Sequence, residues 1–149
     1  SVEPMYYGNI AYLFIYREFS DALPVLINRG EKILIYPEQA MWWNYKKPRV
    51  YKDGAYTFAV KNNVPIIPAF ITYRPSGKVS EQGIEEMYLT VHVMEPIYPD
   101  PNLRRHDNVA QMKKQNFALC KAKYEEVYGE ALTYTTVDPE KAPDKIALG

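Results

Sequence analysis

Ile33-Leu34-Ile35-Tyr36-Pro37-Glu38, followed at about a helix's distance by Val64-Pro65-Ile66-Ile67-Pro68, decides how this chain is read. Each piece is a short apolar, β-branched run that ends at a rigid proline corner, the pattern of a buried strand. Working outward, Ile10 to Tyr16 is another continuous apolar and aromatic run. Ser20 offers a helix N-cap, Leu23, Leu26 and Ile27 form one apolar face, and Gly30 stops the helix. Pro24 then falls within the first turn, where its missing N–H is no loss.

Further along, Asp53-Gly54 opens a short helix that Asn62-Asn63 closes, and Pro65 to Tyr73 makes a third strand. Arg74 to Gly83 reads as a loop, and Met87 to Met94 alternates as a half-exposed strand. From Asp107, the positions Val109, Met112, Phe117, Cys120, Tyr124 and Val127 step at helical spacing to a stop near Gly129. Strand, helix, strand, helix, strand with short connections predicts an α/β domain: a mainly parallel sheet flanked by helices, with a long C-terminal amphipathic helix. Ligands of such sheets sit beyond the strands' carboxyl ends, which would put Arg17 and Glu38 on one rim.

The bulk properties narrow the function classes. Eighteen basic and eighteen acidic side chains balance, so no global field pulls the chain toward nucleic acid. The single cysteine, Cys120, excludes an internal disulfide framework, fits a cytoplasmic setting and reads as a packed apolar residue. No apolar run reaches the roughly 20 residues that span a bilayer. Fourteen tyrosines and the pair Trp42-Trp43 favour surfaces half apolar and half wet, such as a membrane interface.

Among residues able to carry chemistry, Arg17 offers a permanently charged fork for phosphate or carboxylate. A salt bridge to Glu18 explains it equally well. Glu38, held at a proline corner, is placed to accept hydrogen bonds from hydroxyls or to orient a cation. Lys46, Lys47 and Arg49, interleaved with aromatics, suit a phosphate-bearing ligand or a lipid headgroup layer. His92 reads as a packing residue and His106 as part of a helix start. Neither has neighbours at metal-ligand spacing, so no metal is expected.

Three blocks in order resemble the glycerolipid and lysophospholipid acyltransferase family. Ala11-Tyr12-Leu13-Phe14-Ile15-Tyr16-Arg17 is similar to its Gly-x-x-Phe-Ile-x-Arg block, with Ala for Gly. Tyr36-Pro37-Glu38-Gln39-Ala40-Met41 is similar to Phe-Pro-Glu-Gly-Thr-Arg, and Val64-Pro65-Ile66-Ile67-Pro68 to Val-Pro-Ile-x-Pro. Lys52-Asp53-Gly54-Ala55 also resembles the helix start that lies between these blocks in the family. The resemblance implies transfer of an acyl group from acyl-CoA or acyl-carrier protein to a hydroxyl of a lysophospholipid or glycerol phosphate. No bound cofactor is implied. Arg17 and Glu38, with Lys46, Lys47 and Arg49, would contact the acceptor; Val64, Pro65, Ile66 and Pro68 would shape the acyl pocket. It further implies a peripheral or anchored position at the inner face of a membrane.

Two departures stand out. The family's His and Asp, separated by four residues, are missing: five residues after His92 stands Ile97, and after His106, Gln111. The catalytic pair is therefore expected upstream of Ser1. Residues 1–131 would be the C-terminal portion of an acyltransferase domain, inactive alone, and 132–149 a tail. In the third block, Gln39-Ala40-Met41 replaces Gly-Thr-Arg. That loss keeps two alternatives open: a non-catalytic lipid- or phosphate-binding domain, and an acyltransferase with a non-lipid acceptor.

Overall fold

The computed structural model of the chain describes residues 9–39 and 45–134, with side chains from residue 19 onward. Trp42, Trp43, the Ala40-Met41 end of the third block, the side chain of Arg17 and the tail beyond residue 134 lie outside the described residues. The chain divides into two compact units, Ser1–Ile35 and Tyr36–Gly149.

In the first unit, one helix, α1 (Asn9–Asn28), takes up the apolar run expected to be a strand. A short apolar run has no strand or helix periodicity of its own, and a helix satisfies every backbone group within the segment. A strand needs a neighbour for the same purpose, and none pairs with this run among the described residues. Pro24 therefore sits well inside α1 rather than in a first turn. The predicted stop is where expected. Glu31 N–H donates to Leu26 O at 3.1 Å and Gly30 N–H to Ile27 O at 2.9 Å, with Gly30 at φ 78°. This is a Schellman cap, and glycine takes the left-handed position without a Cβ clash.

The second unit holds α2 (Gly54–Asn62), the strands β1 (Ala69–Val79) and β2 (Glu85–Val93), and α3 (Arg105–Tyr128). Asn63 closes α2 in the left-handed region at φ 50°, and Gly129 closes α3 at φ 68°. The two strands form an antiparallel hairpin, with Ala69 opposite Val93 and Tyr73 opposite Leu89. The expected mainly parallel sheet is thus overturned: the described residues form a small mixed α/β arrangement of three helices and one two-stranded antiparallel sheet. The connection explains the direction. A parallel neighbour needs a crossover of a dozen or more residues, and only Ser80 to Ile84 separate β1 from β2. Gly77 at φ 77° lies where the register shifts between Pro75 and Val79, so the strand runs on through the predicted loop. Lys32–Tyr36, the expected second strand, forms no ladder among the described residues.

The core of this unit is built on α3. Val109, Met112, Asn116, Cys120 and Tyr124 are buried at near-helical spacing and pack with Tyr51, Tyr56, Ala59, Phe70 and Ile97. No helix among the described residues is long and apolar enough to cross a membrane. Met112→Ala should cost about 2–5 kcal/mol, while Val93→Ala on the exposed sheet face should stay within about 0.5 kcal/mol. Urea unfolding followed by circular dichroism measures both.

Candidate functional site

The third block forms a tight turn. Pro37 presets φ at the second turn position, and Gln39 N–H closes it onto Tyr36 O at 3.1 Å. Gln39 takes a left-handed φ of 54°. Two bonds bring the returning strand of the loop back to the turn. Lys52 N–H donates to Pro37 O at 2.8 Å, and Arg49 N–H donates to Glu38 Oε1 at 2.9 Å. Pro48, just before Arg49, is fully buried, and its carbonyl accepts the Tyr134 hydroxyl. Glu38 and Arg49, eleven residues apart, are therefore tied together at the base of one loop.

Burial pushes the Glu38 carboxyl above its ordinary range, while the Arg49 N–H bond and the Arg49 charge pull it back. Burial wins. The charge of Glu38 is felt around it: it raises the pKa of Tyr45, Tyr51, Tyr56, Cys120 and Tyr134, each of them already raised chiefly by desolvation. Tyr45 also feels Arg49 and is pushed up to about 12. One carboxylate and one guanidinium thus stand among tyrosine hydroxyls that remain protonated and able to donate.

Behind them runs a buried polar chain. Tyr51 packs in the same cluster as Cys120, Cys120 Sγ donates to Asn116 Oδ1 at 3.6 Å, and Asn116 Nδ2 donates to Tyr56 Oη at 2.8 Å. Cys120 is buried, and its raised pKa keeps it a thiol, which makes it a packing residue and not a nucleophile. The chain holds the aromatic floor of the loop in register with α3.

The other expected site residues are placed as follows. Lys46 Nζ lies 5.3 Å above the Tyr128 ring, a cation–π contact, and Lys47 is half-buried in the same loop. Val64 and Ile66 turn into the core, Pro68 is buried and Pro65 is exposed. An open cleft of about 430 Å³ between Val60, Asn63, Pro99, Leu103 and Asn108 is lined by none of those four. Arg17 belongs to α1, not to a strand end, which removes the shared rim expected for it and Glu38. His92 Nε2 is 2.8 Å from Thr72 Oγ1, and His106 Nδ1 is 3.5 Å from Asp107 Oδ1 on an exposed helix start. Among the described residues no cluster of His, Cys, Asp and Glu is disposed to hold a metal ion.

Sequence reasoning missed Tyr45, Tyr51, Tyr56 and Tyr134 as part of this surrounding. The abundance of tyrosine was the signal, but spacing alone does not show which rings converge. No protein family, curated protein or solved structure matches this chain.

The raised pKa of Glu38 gives a signed expectation. Its charged form is disfavoured in the folded state, so its effect on stability is unfavourable once pH passes the unfolded value of 4.5 and full above the folded value. Glu38→Gln can still accept the Arg49 N–H without the charge. Its stability relative to the unsubstituted protein should therefore rise as pH goes from about 4 to about 7. Denaturant midpoints across that range check it, and a constant difference would contradict the burial argument.

Proposed function

We propose that this chain provides the acceptor-binding part of an acyltransferase, acting on a phosphorylated, hydroxyl-bearing acceptor such as a lysophospholipid or glycerol phosphate. The observation that carries the reading is the bond from the Arg49 main-chain N–H to Glu38, which ties these two charged residues together at the base of the family-like loop. Arg49 would engage the phosphate through its planar fork, and Lys46 and Lys47 would add positive charge from the same loop. Glu38 would accept the bond from an acceptor hydroxyl, and Tyr45, protonated at neutral pH, would donate one.

In the reaction, the acceptor oxygen bonds to the thioester carbonyl carbon, the C–S bond breaks, and the thiol leaves with the proton. Acyl-CoA or acyl-carrier protein supplies the acyl group. The base that takes the hydroxyl proton falls to the family's His–Asp pair, because nothing in the loop has that role. His92 is bonded to Thr72 in the hairpin, and His106 lies on the exposed start of α3. That same observation favours a second reading, binding of a phosphorylated ligand without chemistry.

Calorimetric titration should detect glycerol 3-phosphate but not glycerol. Arg49→Ala keeps the backbone N–H and should weaken binding at least about tenfold, with Arg49→Lys between the two. Equal binding of glycerol, or no effect of Arg49→Ala, sinks the assignment. Acceptor-dependent release of free thiol from acyl-CoA by the full protein separates transfer from simple binding.

A further inference from the structure

The two edges of the hairpin are treated differently. On β1, the Tyr128 hydroxyl accepts the Tyr73 N–H at 2.8 Å and approaches the Tyr73 carbonyl at 3.4 Å. Both main-chain groups of Tyr73 therefore point away from β2, and a side chain of α3 blocks that edge. Pro75, with no N–H to offer, lies further along the same edge.

The register carries this outward direction across the hairpin. Leu89 faces Tyr73, so it belongs to a pair that exchanges no bonds with its partner strand, and its N–H and C=O point outward from β2. Val91, opposite Ile71, and Val93, opposite Ala69, follow at the same two-residue period. Met94 N–H confirms the alternation by donating inward to Pro68 O at 2.9 Å. Among the described residues no strand pairs with this edge of β2, which thus presents the main-chain groups of Met87, Leu89, Val91 and Val93. Three of these side chains are exposed by 59%, 59% and 71% for Leu89, Val91 and Val93. Proteins usually blunt such an edge with Lys, Pro or a bulge, and β2 has none from Met87 to Val93.

We propose that β2 pairs with β2 of a second copy of this chain, antiparallel about a two-fold axis at Leu89, giving a four-stranded sheet. Leu89 then faces Leu89, and Met87 faces Val91, so outward N–H groups meet outward carbonyls. Glu86 faces His92, and Glu85 faces Val93. Centring the axis on Thr90 would instead bring Glu85 toward Glu95, just beyond the end of β2, so like-charge repulsion favours Leu89 over Thr90 as the axis. A symmetric interface needs such self-complementarity, and an isolated two-stranded hairpin gains stability from added strands. The pairing is independent of acyl transfer and leaves the Glu38 loop untouched.

Sedimentation of the full chain over a range of concentrations should show a monomer–dimer equilibrium. Leu89→Pro keeps an apolar side chain but removes the outward N–H at the axis. It should weaken the dimer at least about tenfold, because each copy loses a bond there. If that variant does not fold, Leu89→Lys, at an exposed position, places like charges at the axis and should weaken the dimer likewise. Hydrogen exchange adds a readout without substitution. On concentration the amides of Met87, Leu89 and Val91 should gain protection, and those of Tyr88, Thr90 and His92, which point inward, should not. A chain monomeric at every concentration overturns the proposal, as does a dimer indifferent to both substitutions or protection gained on the even-numbered amides.

Discussion

The bond from Asn116 Nδ2 to Tyr56 Oη, 2.8 Å long and buried between elements sixty residues apart, is the constraint on which the larger unit depends. An apolar stripe on α3 would bury equally well after a small slide along the helix; a directed bond between two desolvated polar groups would not survive it. Losing one partner leaves the other unsatisfied in the core, at about 1–3 kcal/mol. The bond therefore sets the register of α2 on α3. Through Cys120 and Tyr51 the same register reaches the loop that holds Arg49 against Glu38.

Legibility in the sequence followed how local each signal is. The end of α2 at Asn62-Asn63, the span and stop of α3, the glycine cap after α1 and the strand at β2 were all legible, because each rests on spacing within a few residues; the apolar positions Leu89, Val91 and Val93 of β2 are nevertheless exposed, against the buried face its alternation suggested. The strand readings of Ile10–Tyr16 and Lys32–Tyr36 failed for one reason. An apolar run states that it is buried, not whether its backbone bonds lie within the segment or across a ladder. Once two strands were drawn there, the inference of a parallel sheet followed, and the five-residue link between β1 and β2, which forces an antiparallel hairpin, went unweighed.

The candidate site shows the same division. Glu38 was legible because a proline corner holds its neighbour rigid, and Arg49 because basic residues among aromatics are conspicuous. Their juxtaposition was not, since it depends on two returning bonds, Lys52 N–H to Pro37 O and Arg49 N–H to Glu38 Oε1. The converging tyrosines escaped for a related reason: Tyr134 reaches Pro48 across 86 positions.

The carboxylate of Glu38 is the least economical feature of this loop, and that bears on its use. Accepting one backbone N–H requires an oxygen, not a charge; a glutamine amide would accept the same bond. Burial raises the pKa of Glu38 in spite of the adjacent Arg49, so the charge opposes folding at neutral pH. Structure alone gives no return for it. A ligand that offers hydroxyl donors to Glu38 would offset that desolvation, and the loop would then be at its most stable with that ligand bound.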